Sequence, residues 1–308
     1  MRGKKSIILI LLFLILITNK KILISAFDSD TVSAVAAGMG NSFTAMDKVS
    51  AIFYNPATIG GVPSDSLFKS DFLYENKYNI DGYNYYALSF VVGKDIFHLI
   101  KLGFSGYYEN VDNIINEKMI KITTGTTLLS FFKNIYIAGG VNFVLGTIDY
   151  EGWSEDENDP ALDANTMFNI EPGLYAIYNE FRFGIVALDL LNDKYVNKHF
   201  PLRLGVVYDI SKFSSLISMD IEFIKGINDY NRSWIKIGSL EIGKNYYPLI
   251  KIGFEKTIKN ILSLRLGLRD FKIEAGAGIR FKGIELNYAI INNNIGFTHL
   301  IGVSIKRL

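Results

Sequence analysis

The sequence predicts an all-β fold: a transmembrane antiparallel β-barrel of about 14 strands with a small helical N-terminal plug. Apolar and polar residues alternate along most of the chain after residue 66. The alternating segments run for about 10–13 residues, whereas strands of soluble proteins average roughly 5–6. Hydrophobic residues make up 49% of the chain beside 20% charged residues. This balance is expected of strands with one face in lipid and one in water.

The chain begins with a segment typical of a secretory signal peptide, residues 1–26. Basic residues precede an apolar run over 7–18, and Ile24-Ser25-Ala26 offers a cleavage site. The run is short for a spanning helix, which needs about 20 residues, although an uncleaved anchor is the alternative interpretation. Cleavage would remove five basic residues and leave 27 basic against 31 acidic ones. That balance gives no reason to expect a nucleic-acid partner.

Residues 34–63, AVAAGMGNSFTAMDKVSAIFYNPATIGGVP, combine small residues with helical rather than alternating spacing. Gly38 and Gly40 permit a positive φ or a close approach of two backbones. Asp47 is positioned to cap a short helix on which Ile52 and Phe53 share a face. On spacing alone, a buried helix-turn before a sheet explains this pattern.

A tight hinge is predicted at Asn55-Pro56-Ala57. Pro56 disfavours the helical region at Asn55, so the first helix should end near Tyr54. Asn55 is also a good N-cap and Pro56 a good first helical residue, so a second turn can begin at once. Gly60-Gly61 would end that turn.

Fourteen segments carry the strand pattern. The clearest is 261–269, where four leucines at even positions oppose Ser263, Arg265, Gly267 and Arg269. The predicted strands are 66–76, 82–93, 96–109, 117–131, 134–148, 166–178, 181–191, 200–210, 214–225, 247–257, 260–269, 271–282, 283–292 and 296–308. Residues 233–243 are a fifteenth candidate, which we place in an excursion of an outer loop.

The apolar face of the strands should meet lipid, because an unpaired charge at the middle of a bilayer costs about 2–4 kcal/mol. The polar face should then line the lumen. Its charged residues have both signs, so pairing across neighbouring strands is favoured over a path for substrate. The predicted lumen-lining residues are Lys101, Arg203, Asp220, Glu222, Lys251, Arg265, Lys272, Glu274 and Arg280.

Several motifs together resemble the FadL superfamily of outer-membrane proteins. Gly38-Met39-Gly40, Thr44-Ala45 and the run SAIFYNPA at 50–57 are similar to its N-terminal signature. Strand patterns such as PLRLGV at 201–206, GAGIRF at 276–281 and GFTH at 296–299 are similar to its PorV/PorQ branch. The superfamily includes long-chain fatty acid transporters and the shorter PorV/PorQ proteins tied to type IX secretion.

The resemblance implies a 14-stranded barrel at 66–308, in the outer membrane, with a plug or hatch at 27–65. It implies a gate formed by Gly38, Gly40, Asn55, Pro56 and Ala57. The chain is shorter than the fatty acid transporters and lacks long helical outer loops. The expected function is a plugged channel for passive uptake of hydrophobic small molecules such as long-chain fatty acids. A platform that binds exported proteins in secretion and a structural surface barrel are the alternatives.

Motifs for catalysis or metal binding are absent from the sequence. The chain has no cysteine, and His98, His199 and His299 have no ligand spacing. The acidic run at 154–159 lacks the glycine and the terminal Glu of a calcium loop. We therefore expect no enzyme, no cofactor and no metal. The expected partners are outer-membrane lipid, a hydrophobic ligand or an exported protein.

Overall fold

Fourteen antiparallel strands close into one barrel in the computed structural model of the chain. The strands are β1 Phe68–Asn76, β2 Tyr83–Ile96, β3 Ile100–Val111, β4 Ile115–Phe131, β5 Ile135–Tyr150, β6 Asn165–Tyr178, β7 Phe181–Val186, β8 Arg203–Ile210, β9 Ser215–Lys225, β10 Tyr246–Ile258, β11 Leu262–Arg269, β12 Lys272–Phe281, β13 Ile284–Asn293 and β14 Gly296–Arg307. Each strand pairs with its neighbours in sequence, and β14 closes the barrel on β1.

The structure describes residues 24–25, 31–61, 68–77, 81–96, 100–111, 115–131, 135–150, 165–188, 190–191, 196–197, 202–225, 235–237, 240–242, 246–269, 271–293 and 296–307. The predicted signal peptide lies outside these residues, except for Ile24–Ser25, which pairs with Val196–Asn197. His98, His199 and the acidic run at 154–159 also lie outside them. No helix of the described part is long and apolar enough to cross a membrane.

The predicted fold class is confirmed, and the strand boundaries agree to within a few residues at most positions. The largest difference is at β7, which ends at Val186 and not at 191. Beyond it the ladder becomes irregular, because the amides of Ala187 and Leu190 donate to the carbonyls of Pro172 and Ile170. The fifteenth candidate is no barrel strand: Ile235–Ile237 pairs with Leu240–Ile242 as a separate two-stranded unit.

The two faces of the wall differ in chemistry. Large apolar side chains are exposed on the outside, among them Phe72, Leu88, Ile122, Phe168, Leu266, Leu286 and Ile301. Charged and amide side chains at the alternate positions are buried inside, among them Lys121, Glu171, Asp220, Lys251 and Arg265. The outer face therefore suits hydrocarbon, and the inner face suits paired charges.

The segment before β1 forms two short helices and a 3₁₀ turn. Helix α1 spans Ala34–Gly38 and is capped by the Ser33 hydroxyl, which accepts a hydrogen bond from the Val35 amide at 3.2 Å. Helix α2 spans Ala51–Tyr54, and the 3₁₀ helix spans Pro56–Gly61. Asn55 has an extended backbone with ψ of 110°, so α2 ends where Pro56 predicts.

The prediction that Asp47 caps a helix is wrong. Helix α2 begins at Ala51, and the residue at its N-cap, Ser50, makes no side-chain capping bond. The Asp47 carboxylate instead lies 3.2 Å from Nη1 of Arg182 on β7. An ion pair with a distant strand has thus taken the place of a local cap.

Candidate functional site

The candidate site is the plug, residues 31–61, together with the wall residues that hold it inside the barrel. Of these residues, all of which the structure describes, only Asp47 is exposed, and only Lys48 and Gly61 are half-buried. The first half, residues 34–45, contacts strands on the β7–β14 side of the barrel. The second half, residues 52–60, contacts β3–β7. The plug therefore reaches the wall on opposite sides of the lumen.

Inward-facing glycines give the plug room against the wall. A Cβ at Gly276 would lie 3.0 Å from Cα of Gly38, and one at Gly140 would lie 2.5 Å from the backbone of Pro56. Several of these glycines pair in register across neighbouring strands, which makes continuous grooves. The pairs are Gly125 with Gly140, Gly140 with Gly173, Gly184 with Gly205, and Gly253 with Gly267.

Gly40 shows how closely the two backbones approach. Its φ is +64°, in the left-handed region that favours glycine, and an added Cβ would lie 2.8 Å from the backbone N and O of Leu268. On the wall, a Cβ at Gly267 would overlap the Gly40 backbone nitrogen. Both positions therefore require glycine for the plug to sit where it does.

Asp220 on β9 anchors the first half of the plug. Its carboxylate accepts hydrogen bonds from the amides of Phe43 at 2.8 Å and Thr44 at 2.9 Å, and from the Thr44 hydroxyl at 2.6 Å. The Ser42 hydroxyl adds a longer contact of 3.4 Å. Asp220 is fully buried. Hydrogen bonds to a charged group contribute about 1.5–3 kcal/mol each, so this anchor is strong.

Asn55 joins the two halves of the plug to the wall. Its side-chain amide donates to the carbonyls of Thr44 and of Leu174 on β6, both at 3.0 Å. Its Oδ1 accepts from the Ala57 amide at 3.0 Å, as expected of an N-cap. Pro56 packs against Gly140. The Asn-Pro-Ala corner is thus a buried, fully bonded joint.

The second half of the plug presents carbonyl groups to donors on the wall. Asn142 donates to Ile52 O at 3.2 Å, and Lys121 donates to Phe53 O at 3.3 Å. Lys101 donates to Gly60 O at 3.3 Å, and the Tyr136 hydroxyl donates to the same oxygen. The Lys121 ammonium also lies 4.1 Å from the centre of the Phe53 ring and thereby gains a cation–π contact.

Buried ion pairs compensate the charges of the wall. Glu222 accepts from Arg203 at 2.9 Å and from Lys251 at 2.8 Å. A second cluster joins Arg265 to Glu255 and Glu285, both at 2.6 Å. Lys48 of the plug reaches Glu255 at 3.3 Å, so the network also holds the plug. Pairing of this kind is what allows charges to be buried at all.

The predicted lumen residues occupy two kinds of position. Seven are buried on the inner face: Lys101, Arg203, Asp220, Glu222, Lys251, Arg265 and Glu274. Lys272 is only half-buried, at the start of β12, and Arg280 is exposed near its other end. Arg280 contacts Glu285 at 2.6 Å with 42% of its side chain exposed. Both residues share the phase of Glu274 but lie near the ends of β12, where solvent reaches them.

Sequence reasoning missed several wall residues that hold the plug. Lys121 pairs with Glu171 at 2.7 Å, and Asn142 donates to Glu171 at 3.1 Å. All three lie at polar positions of strands in which apolar and polar residues alternate, so the alternation alone indicates that they face inward. His299 lies on the outer face, where its Nδ1 is 2.6 Å from the Tyr288 hydroxyl. Within the described residues, no group of three or more His, Asp or Glu side chains could hold a metal ion.

Several solved structures with a similar fold are hydrocarbon channels or toluene transporters. A monoaromatic hydrocarbon channel, CymD, aligns with a TM-score of 0.58 and 13% identity over 91% of this chain and 98% of that one. The Pseudomonas putida toluene transporter TodX aligns with a TM-score of 0.56 and 13% identity over 91% and 97%. The Ralstonia pickettii toluene transporter TbuX aligns with a TM-score of 0.55 and 11% identity over 91% of this chain and 98% of that one. At these identities the likeness establishes the fold alone.

The family model for the type IX secretion system membrane protein PorP/SprF matches residues 54–308. No curated protein sequence matches the chain. The resemblance to a FadL-like barrel near the PorV/PorQ branch is confirmed by the fold and by this match, which names the specific family. The fold and the family together place the barrel in the outer membrane. The chain belongs to the PorP/SprF family of type IX secretion membrane proteins.

Proposed function

We propose that this chain is a sealed outer-membrane barrel of a type IX secretion system, which binds exported proteins as a platform and keeps its lumen closed. The observation that carries the proposal is the plug, which is fixed to opposite sides of the wall by buried hydrogen bonds and ion pairs. The family match supplies the secretion context. A plug fixed on both sides is compatible with a closed platform, whereas uptake through the lumen requires the plug to move.

The energetics favour a plug that stays in place. Moving the first half would leave the Asp220 carboxylate and the amides of Phe43 and Thr44 without partners. Moving the second half would uncouple Lys121 and Asn142 from plug carbonyls. An unpaired buried polar group costs about 1–3 kcal/mol, and a charged one costs more. Displacement would therefore need a substantial external driving force.

A disulfide that fixes the plug to the wall distinguishes the platform function from the channel function. A Cβ at Gly302 would lie 3.1 Å from Cβ of Ala34, close to the roughly 3.5–4.5 Å of a disulfide. The chain has no cysteine, so the variant Ala34→Cys/Gly302→Cys would carry a single pair. We expect the oxidised variant to support secretion in a deletion strain as well as the wild type does. The two single variants and the reduced double variant are the controls.

Loss of secretion on oxidation, restored by reduction, would contradict the platform. That result would mean that the plug must move during function. Retained secretion together with capture of an exported protein by the purified, locked barrel would support the platform directly.

The second candidate is uptake of hydrophobic small molecules past a displaced plug. It is favoured by an apolar and aromatic lining in the half of the lumen that bears the long connections, where Tyr85, Tyr107, Met119, Ile148 and Met167 are buried. The related fold of hydrocarbon channels adds support. Uptake of a labelled fatty acid or aromatic hydrocarbon that disappears in the oxidised lock variant would favour this function.

The export route is part of the same proposal. We propose that residues 1–26 are a signal peptide, removed before the barrel inserts. N-terminal sequencing of the protein from outer-membrane fractions should begin at Phe27. A chain that starts at Met1 in inner-membrane fractions would contradict this route.

A further inference from the structure

A row of small polar residues crosses the wall at the level of Asp71. In register, Asp71 on β1 pairs with Ser304 on β14 and with Ser89 on β2. Ser89 pairs in turn with Ser105 on β3. All four residues lie at inward positions of their strands. The row lies between two of the ion-pair clusters described above, since Ser304 pairs in register with Glu285 and Ser105 with Lys121.

Asp71 is a buried carboxylate held by hydroxyl groups. It is 2% exposed, and the Ser304 hydroxyl donates to it at 2.8 Å. Ser33 and Ser50 of the plug lie beside the same carboxylate. Among the described residues, Asp71 makes no ion pair. Glu171, Glu222 and Glu255, by contrast, each have a Lys or Arg within 2.9 Å.

Two hydroxyl groups of the row have no hydrogen-bond partner. The Oγ atoms of Ser89 and Ser105 are buried without a partner among the described residues, and both serines are 0% exposed. Native proteins satisfy buried hydroxyls with bound water or ions, because a buried orphan is costly. These two hydroxyls, together with a buried carboxylate that makes no ion pair among the described residues, point to a bound species at this position.

We propose that Asp71 and the surrounding serine hydroxyls bind a partly hydrated monovalent cation, such as Na⁺, between the plug and strands β1–β3. Carboxylate and hydroxyl oxygens are hard ligands of the kind that alkali and alkaline-earth cations prefer. One carboxylate balances one positive charge, and the serines add none, so a monovalent ion leaves the buried site neutral. Through Ser33 and Ser50, the ion would tie the plug to this side of the wall.

The site is independent of the proposed function, since it would hold the plug in a platform or in a channel. Its test is the thermal unfolding of the full-length barrel in lipid discs. The media contain NaCl, KCl or choline chloride at equal ionic strength and pH. We expect a saturable rise in the unfolding temperature with Na⁺ or K⁺ over choline, whose bulk excludes it from the site.

Substitutions test whether the rise in unfolding temperature comes from Asp71 and the neighbouring serines. Asp71→Asn keeps the shape and removes the charge, so the rise with Na⁺ should disappear. Ser89→Ala should raise the half-saturating concentration of Na⁺ by about tenfold, which is the order of effect of losing one ligand. Ser218→Ala is the matched control, because this buried serine already donates to the Gly253 carbonyl at 3.5 Å, away from Asp71. It should keep the full response.

Thallium provides a direct measurement. Crystals grown with Tl⁺ should show an anomalous peak within about 3 Å of the Asp71 carboxylate in the wild type and none in Asp71→Asn. Equal unfolding temperatures in Na⁺, K⁺ and choline would overturn the proposal. A sodium response that survives in Asp71→Asn would overturn it as well, because sodium would then act away from this carboxylate.

Discussion

The backbone groups of the two halves of the plug are held by opposite chemistry. The first half offers backbone N–H groups at Phe43 and Thr44 to a wall carboxylate, Asp220. The second half offers backbone carbonyls at Phe53 and Gly60 to wall lysines. The wall is thus an acceptor where the plug has free donors and a donor where the plug has free acceptors.

Short helices explain this division. A helix leaves its last carbonyls without intrahelical partners, and α2 ends at Tyr54 with the carbonyls of Ile52 and Phe53 pointing to the wall. The turn after α1 instead leaves N–H groups without partners. A single long helix across the lumen would expose fewer such groups. Breaking the plug into short pieces therefore provides the bonds that hold it.

Lys121→Met should have the largest effect, and it acts on the second half. Lys121 is buried and bonds both Glu171 and Phe53 O. The variant leaves a buried carboxylate without its cation, so the free energy of unfolding should fall by about 3–5 kcal/mol. Urea denaturation in lipid vesicles measures this change in the free energy of unfolding. Adding Glu171→Gln should recover part of the loss, and no recovery would contradict an ion-pair role.

Gly267→Ala should have the second-largest effect, and it acts on the first half of the plug. The new methyl group would overlap the Gly40 backbone, which no side-chain rotation relieves. We expect a loss of about 3 kcal/mol and a plug that proteases can cleave. Gly140→Ala should do the same for the second half, at Pro56.

Gly139→Ala is the matched control for both glycine variants. Its Cβ would meet only the end of the flexible Leu128 side chain, at 2.9 Å. It should therefore leave the plug resistant to proteases. Equal sensitivity in Gly139→Ala and Gly140→Ala would show that the glycines serve the strands and not the plug.

Asp220→Asn should weaken the first half alone, by about 2–3 kcal/mol. The amide oxygen can occupy the position of Oδ2, which accepts all three bonds from Phe43 and Thr44, but these bonds lose the charge that strengthens them. Hydrogen exchange should rise at the amides of Phe43 and Thr44 while Phe53 stays protected. Asp209→Asn, whose carboxylate is 33% exposed on the adjacent strand, is the control. A rise spread evenly over both halves would contradict two separate anchors.

The barrel could be predicted from sequence because its signal is local. Alternation of apolar and polar residues is visible within a single strand, and it also identifies which charged residues face inward. Depth along the strand is not visible in that way, so Arg280 shares the polar phase of Glu274 yet lies exposed near the strand end. The partners of the plug were hidden as well. The glycines that admit it come from strands far apart in sequence, and only the closed barrel brings them together.

Asp47 illustrates the same limit and provides the smallest expected effect. Its position before a helical pattern predicts a cap, but the carboxylate pairs with Arg182 on β7 at 3.2 Å, and 47% of it is exposed. Exposed pairs contribute about 0–1 kcal/mol, and Arg182 keeps Asp209 as a second partner at 2.8 Å. Asp47→Asn should therefore change the free energy of unfolding by less than about 1 kcal/mol, with the difference shrinking further in high salt. A larger loss that persists in high salt would mean that the exposed middle of the plug, and not its two buried halves, determines how firmly it is held.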